Sequence, residues 1–227
     1  VAPYLTNVTV PILHVAGWWD QEDFYGPLKI YESLEAHDRN RQNVLVAGPW
    51  NHGGWNGGEG RKLGNVDFGS ATGQYFREQI KARWLAAHLK GQAATNFPEA
   101  ITFQTGANQW ESHAAWPLRE GVQRRRLYFQ PGGKLDFTLL QDSSRRAADS
   151  FLSDPARPVP YRNRPIEPTY GRGSRWSTWL LEDQRFVHNR PDVLSYETAA
   201  LTNEVAVTGE VFAQLFAATT GTDADWI

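Results

Sequence analysis

Asp20 and His52 are the two residues of this chain whose types and setting offer the most chemistry. Asp20 lies in Gly17-Trp18-Trp19-Asp20-Gln21-Glu22-Asp23 and His52 in Gly48-Pro49-Trp50-Asn51-His52. A serine hydroxyl is a poor nucleophile until an imidazole takes its proton, and a carboxylate fixes the imidazole tautomer and stabilises the imidazolium. Each residue taken alone has a structural explanation: Asp20 as a helix N-cap, His52 as a hydrogen-bonding partner within a Gly-rich loop. Glu22 and Asp23 are harder to explain that way, because with Asp20 they put three acids in four residues beside Trp18, Trp19, Phe24 and Tyr25. A helix N-terminus welcomes one or two acids through its dipole; the functional alternative is a negative pocket for a cation. A calcium loop fails on spacing, since the fifth position from Asp20 is Phe24, the sixth Tyr25 rather than Gly, and the twelfth Tyr31 rather than Glu. An ammonium group fits better than a metal.

The elements that must position these residues can be read around them. Pro11 to Ala16 and Val44 to Ala47 are short, β-branched-rich apolar runs expected as buried parallel strands, and Tyr25 to His37 can form the crossover helix between them. Ligands of open α/β sheets sit outside the carboxyl ends of the strands, so the β-loop-α-β unit delivers one carboxylate and one imidazole to the same edge. Asp followed by His is the order of an α/β-hydrolase triad, in which the serine comes first. No serine in a Gly-x-Ser-x-Gly setting precedes Asp20. After His52 a Gly-rich loop runs to Gly64. It lacks the Lys-Ser/Thr ending of a phosphate cradle and reads as a flexible carrier of His52. A strongly periodic helix follows over about 71–90. Phe76, Ile80, Trp84, Leu85 and Leu89 are expected against the sheet, Arg77, Glu78, Lys81 and Lys90 toward solvent, and Gly91 as the stop.

From Phe97 onward the texture changes. Ile101–Thr105, Arg126–Gln130 and Glu204–Thr208 alternate polar with apolar residues and are separated by turn signals such as Pro131-Gly132, and Gln214 to Ala218 reads as another strand. This is the profile of an antiparallel sandwich. His14 reads as a core residue, while His37, His88, His113 and His188 have no metal-ligand spacing. No metal and no cofactor are expected. Arg124-Arg125-Arg126 reads as a solvated turn entering a strand.

Of the 227 residues 41% are hydrophobic and 13% aromatic, enough for one large or two modest cores, and the net charge of −2 gives no electrostatic reason to expect nucleic acid or a membrane surface. The absence of cysteine rules out disulfides and thiolate metal sites. A chain that contains no methionine and starts at Val1 is expected to be an internal slice of a longer protein.

The same residues carry a resemblance. With Gly17–Asp23, Gly48–His52, Trp110, Trp116-Pro117, Leu127–Leu135, Ser153–Pro160, Asp183–Val187 and Arg190–Leu194, the chain resembles the cocaine esterase/X-prolyl dipeptidyl peptidase group of serine hydrolases, and within it the α-amino acid ester hydrolases (glutaryl-7-ACA acylase-like). The resemblance implies an α/β fold. Residues 1–95 would be the C-terminal segment of an α/β-hydrolase domain and residues 96–227 the N-terminal part of a jelly-roll β-sandwich domain. It implies Asp20 as triad acid, His52 as triad base, and Glu22 and Asp23 as carboxylates that bind the substrate α-ammonium. The nucleophilic serine, cap and oxyanion-hole tyrosine of the family lie upstream of the matched region, so this chain alone is expected to be inactive. The expected partner is a small α-amino acyl ester or amide. A periplasmic or secreted homo-oligomer is expected from the habits of that branch. Two alternatives stand beside this reading: a related esterase or dipeptidyl peptidase, and a non-catalytic carbohydrate-binding sandwich using Trp110, Trp116, Trp176 and Trp179.

Overall fold

The computed structural model describes residues 2–91, 96–140 and 148–222. The two apolar runs around the candidate pair are strands, β1 (Ile12–Gly17) and β2 (Asn43–Gly48), joined through the crossover helix α1 (Tyr25–Glu35). They pair in parallel from Ile12↔Asn43 to Gly17↔Gly48, so both glycines end at the same edge. Side chains alternate across a strand, and Leu45 and Val46 show the consequence. Leu45 packs with Tyr31 of α1 and with Ala100, whereas Val46 packs with Trp50, Phe76, Ile80 and Ile101. Two helical layers therefore cover opposite faces of the sheet. Each such fully buried side chain contributes roughly 1.5–3 kcal/mol.

The second layer is one helical stretch in three parts: α2 (Thr72–Tyr75), a π-helical segment (Phe76–Lys81) and α3 (Ala82–Lys90), closed by Gly91 in the left-handed conformation at φ 59°. Phe76 and Ile80 are buried as expected, but Leu85 and Leu89 are exposed. The π segment, with its wider i→i+5 turns, shifts the phase of the apolar stripe. Beyond it Leu85 and Leu89 are exposed, while Trp84 stays half-buried. Arg77 also departs from expectation: half-buried rather than solvated, it donates from Nη1 to the Trp55 carbonyl at 3.1 Å and from Nη2 to that of Gly58 at 2.7 Å. The Gly-rich loop read as flexible is thus tied to the helix.

The sheet continues past the change of texture. β5 (Ala100–Gln104), expected as a first sandwich strand, pairs in parallel with β2, and β6 (Gln109–His113) pairs antiparallel with β5, giving the order β1-β2-β5-β6. The reason is burial: Ala100 to Phe103 are buried in succession, as an interior strand requires. A short hairpin, β3 (Lys62–Leu63) with β4 (Val66–Asp67), sits before α2. Leu63 and Phe68 pack there with Phe103.

Further along, β7 (Tyr128–Gln130) and β8 (Lys134–Asp136) form a hairpin around Pro131-Gly132, and Lys134 bridges to Glu197. Two short 3-10 helices follow, Trp176–Leu181 and Gln184–Val187. Glu204–Thr208 and Gln214–Ala218, expected as strands, make no ladder among the described residues, and Val205, Val207 and Phe216 are exposed. Alternating sequence alone does not make a strand where no neighbour accepts its backbone bonds.

Candidate active site

Glycine is required at the ends of both β1 and β2, and Trp50 is the reason at each. A Cβ on Gly17 would lie 2.3 Å from the Trp50 carbonyl oxygen, and one on Gly48 would meet the Trp50 ring at 2.4 Å. The Trp18 amide donates to the Gly48 carbonyl at 2.9 Å and the Trp19 amide to that of Trp50 at 3.0 Å, locking the two loops together. The Trp50 indole is fixed in turn by a 3.0 Å bond to Thr72 Oγ1, which donates to the Gly60 carbonyl at 2.6 Å.

On this base Asp20 and His52 meet. His52 Nδ1 lies 3.0 Å from Asp20 Oδ1 and 3.1 Å from Oδ2, and the Asp20 side chain is 3% exposed against 40% for His52. An ionised carboxylate only accepts, so the contact selects the tautomer with its proton on Nδ1 and leaves Nε2 as the basic nitrogen. Asp20 Oδ1 also accepts the backbone N–H groups of Glu22 at 2.9 Å and Asp23 at 3.0 Å. The same carboxylate therefore shapes the turn that presents the two other acids. The His52 amide is held by Gln21 Oε1 at 3.3 Å.

Glu22 and Asp23 are both exposed. Glu22 Oε2 lies 3.5 Å from His52 Nε2, on the edge of the imidazole that faces away from Asp20. The Asp23 carboxylate lies over the first turn of α1, where a Cβ on Gly26 would meet Oδ1 at 2.2 Å, yet α1 has no side-chain cap hydrogen bond. The capping explanation for Asp23 thus has no bond behind it, and the turn-capping role belongs to Asp20.

Trp176 completes the surroundings: its ring and that of His52 form a T-shaped pair with centroids 6.1 Å apart, and it also packs with Tyr170. Sequence reasoning named Trp176 only as a carbohydrate candidate, because no local signal links it to a histidine so far back in the chain. The four tryptophans of that alternative share no platform. Trp110 packs with Trp50, Tyr75 and Phe103, Trp116 with Trp18 and His113, Trp176 with His52, and Trp179 under Arg162.

His14 is a core residue, with Nε2 2.7 Å from Asn43 Oδ1 and its basicity lowered by burial. His113 Nε2 meets Thr102 Oγ1 at 2.8 Å. Among the described residues no group of three or more His, Cys, Asp or Glu is arranged to hold a metal ion, and no helix is long and apolar enough to cross a membrane.

Comparison with known proteins finds relatives for most of the chain. Residues 1–54 match the X-Pro dipeptidyl-peptidase (S15 family) model, and residues 92–227 match that of the X-Pro dipeptidyl-peptidase C-terminal non-catalytic domain. The chain is 30% identical to the cocaine esterase of Rhodococcus sp. (strain MB1 Bresler) over 98% of its own length and 38% of that protein's. Among solved structures it is similar to an aminopeptidase from a marine sediment Thaumarchaeota archaeon (TM-score 0.76, 40% identity, 82% of this chain and 30% of that one). It is also similar to an α-amino acid ester hydrolase labelled with selenomethionine (TM-score 0.82, 33% identity, 92% of this chain and 34% of that one). The chain therefore spans a little over a third of the curated relative it matches. With its larger part, residues 92–227, matched by the C-terminal domain model, the chain belongs to the X-Pro dipeptidyl-peptidase family.

Proposed function

We propose that the whole protein is a serine hydrolase that cleaves, or transfers the acyl group of, α-amino acid esters and β-lactam amides through an acyl-serine intermediate. The observation that carries this reading is the Asp20–His52 contact, 3.0 Å at the aligned ends of two parallel strands, with two further carboxylates on the same loop. Asp20 holds the imidazole with its proton on Nδ1. Nε2 takes the serine proton as the hydroxyl attacks the ester or amide carbonyl, and later passes it to the leaving group. Glu22 and Asp23 hold the α-ammonium of the acyl part, and the serine comes from a part of the whole protein outside these residues. In this reading residues 1–95 are the last segment of the hydrolase domain and 96–227 the start of a jelly-roll domain, whose first hairpin extends the hydrolase sheet.

A charge-assisted hydrogen bond from ammonium to carboxylate is worth about 1.5–3 kcal/mol. Glu22→Gln or Asp23→Asn should therefore lower kcat/KM for an α-amino ester by roughly one to two orders of magnitude. The matched ester without the amino group should lose little. Equal losses on both esters would make these acids structural and reduce the assignment to an esterase or peptidase of other acyl specificity, as in the cocaine esterase to which the chain is similar.

A further inference from the structure

The helix that carries Trp176 is held by an ion-pair cluster built from Arg162, Glu167, Arg175 and Glu182. Arg175 immediately precedes Trp176–Leu181 and Glu182 immediately follows it, and Arg175 Nη2 donates to Glu182 Oε1 at 2.7 Å, closing over the helix from end to end. Beneath this pair lies Arg162, whose side chain is 3% exposed. Its guanidinium forks onto Glu182, Nε to Oε2 at 3.0 Å and Nη2 to Oε1 at 2.6 Å, and Nη2 also reaches Glu167 Oε2 at 3.1 Å. The same guanidinium stacks over the ring of Trp179, in the middle of the helix, at 4.9 Å. The Glu182 carboxyl is held below its ordinary range, first by the Arg162 bond, and Arg162 is pushed up by Glu182. The far end of the helix docks beside the β3–β4 hairpin and β5, where Leu181 packs with Leu63, Phe68 and Phe103 and lies 3.3 Å from where a Gly64 Cβ would stand.

A buried ion pair is a poor way to add stability, since apolar residues of the same volume often do better. What a bidentate Arg–carboxylate fork supplies is a fixed geometry. Here the element whose geometry it fixes sets Trp176 in a T-shaped arrangement with His52. We infer that Arg162 is a positioning residue for the reaction at His52: through Glu182 and Arg175 it clamps the Trp176–Leu181 helix and so holds Trp176 against the imidazole. The region matched to the family's non-catalytic domain thereby takes part in the active site. This inference rests on the proposed role of His52.

The test is a double-mutant cycle on the whole protein, with kcat and KM measured on an α-amino ester for Arg162→Met, Trp176→Ala and the pair. A misplacement of about 1 Å beside a reacting group costs up to about a hundredfold, so each single variant should lower kcat by ten- to a hundredfold with little change in KM. The Arg162 variant should then lose less than about twofold more once Trp176 is gone, because residues acting through one another are not additive. Losses that multiply, or an Arg162 variant with full kcat, would overturn the clamp. Should Arg162→Met fail to fold by circular dichroism, Arg175→Met, which removes the half-exposed pairs to Glu182 and Glu167 and leaves the Arg162 fork in place, runs the same cycle with a smaller loss of the same pattern. His52→Ala separates the two ideas: activity surviving in that variant defeats the proposed function itself, whereas an inactive His52 variant with an additive cycle defeats the clamp alone.

Discussion

Replacing Asp20 by Asn separates the two jobs its carboxylate performs. Oδ1 accepts the Glu22 and Asp23 amides at 2.9 and 3.0 Å, and an Asn oxygen placed there keeps both bonds. The amide nitrogen then falls at the Oδ2 position, 3.1 Å from His52 Nδ1. An amide NH2 donates only, and the oxygen at the Oδ1 position, 3.0 Å from Nδ1, already accepts two backbone amides, so the arrangement favours Nδ1 as acceptor of the amide N–H and a proton on Nε2, the nitrogen that takes the serine proton in the proposed mechanism. The expected outcome is a loss of about a thousand- to ten-thousandfold in kcat with little change in melting temperature. Asp20→Ala removes the turn bonds as well and leaves two part-buried amides without a partner, a cost of about 1–3 kcal/mol each. That variant should lose both activity and several degrees of melting temperature. The assay is steady-state hydrolysis of an activated ester by the whole protein, with thermal melts of each variant. An Asn variant retaining kcat within tenfold, with its melt unchanged, would refute the tautomer argument and leave Asp20 a turn residue only.

Two further perturbations test the frame rather than the chemistry. Gly17→Ala puts a methyl 2.3 Å from the Trp50 carbonyl oxygen, so the strand ends must part. About 1–3 kcal/mol of stability should be lost together with most of the activity, and a variant with wild-type melt and turnover would show that the close approach is dispensable. His14, buried and less basic than the ordinary value of 6.5, binds its proton less readily folded than unfolded. Its contribution is present above about pH 6.5 and lost as pH falls below it, by up to about 1.4 kcal/mol per pH unit. Glu35, whose carboxyl is pushed up by burial, titrates with the opposite sign, so the readout is the difference between the native chain and His14→Gln. Melting temperatures at pH 8 and pH 5.5 should fall more for the native chain than for the variant, and equal falls would contradict the argument.

The first strand-helix-strand unit was legible because its signals are local. Apolar runs of strand length, an intervening helical segment and glycines at both strand ends set β1, α1 and β2, and chain order then placed Asp20 and His52 at one edge. The long helix was legible in extent, including its Gly91 stop, but not in phase. A π segment leaves no mark in the apolar pattern before it, so Leu85 and Leu89 were assigned to the wrong face. β5 has a clear strand signal over Ile101–Thr105, whereas its hairpin partner β6 was not read as a strand; and which sheet a strand joins depends on a partner elsewhere in the chain, here β2. For the same reason neither the approach of Trp176 to His52 nor the burial of Arg162 could be read. Arg and Glu scattered through a Pro- and Gly-rich loop look like solvated surface until the fold brings them together. The extended run over 204–218 shows the converse, with strand-like alternation and no ladder among the described residues.

Labelling with a fluorophosphonate tests the central claim, that Asp20 and His52 serve a serine nucleophile, more directly than any rate. The whole protein, its His52→Ala variant and the 227-residue chain alone would be exposed to the probe, and the modified serine identified by peptide mapping. One labelled serine, outside these residues, is expected in the native protein, with no labelling of the His52 variant and none of the isolated chain. Labelling that persists without His52, or that falls on a serine of this chain, would contradict the claim.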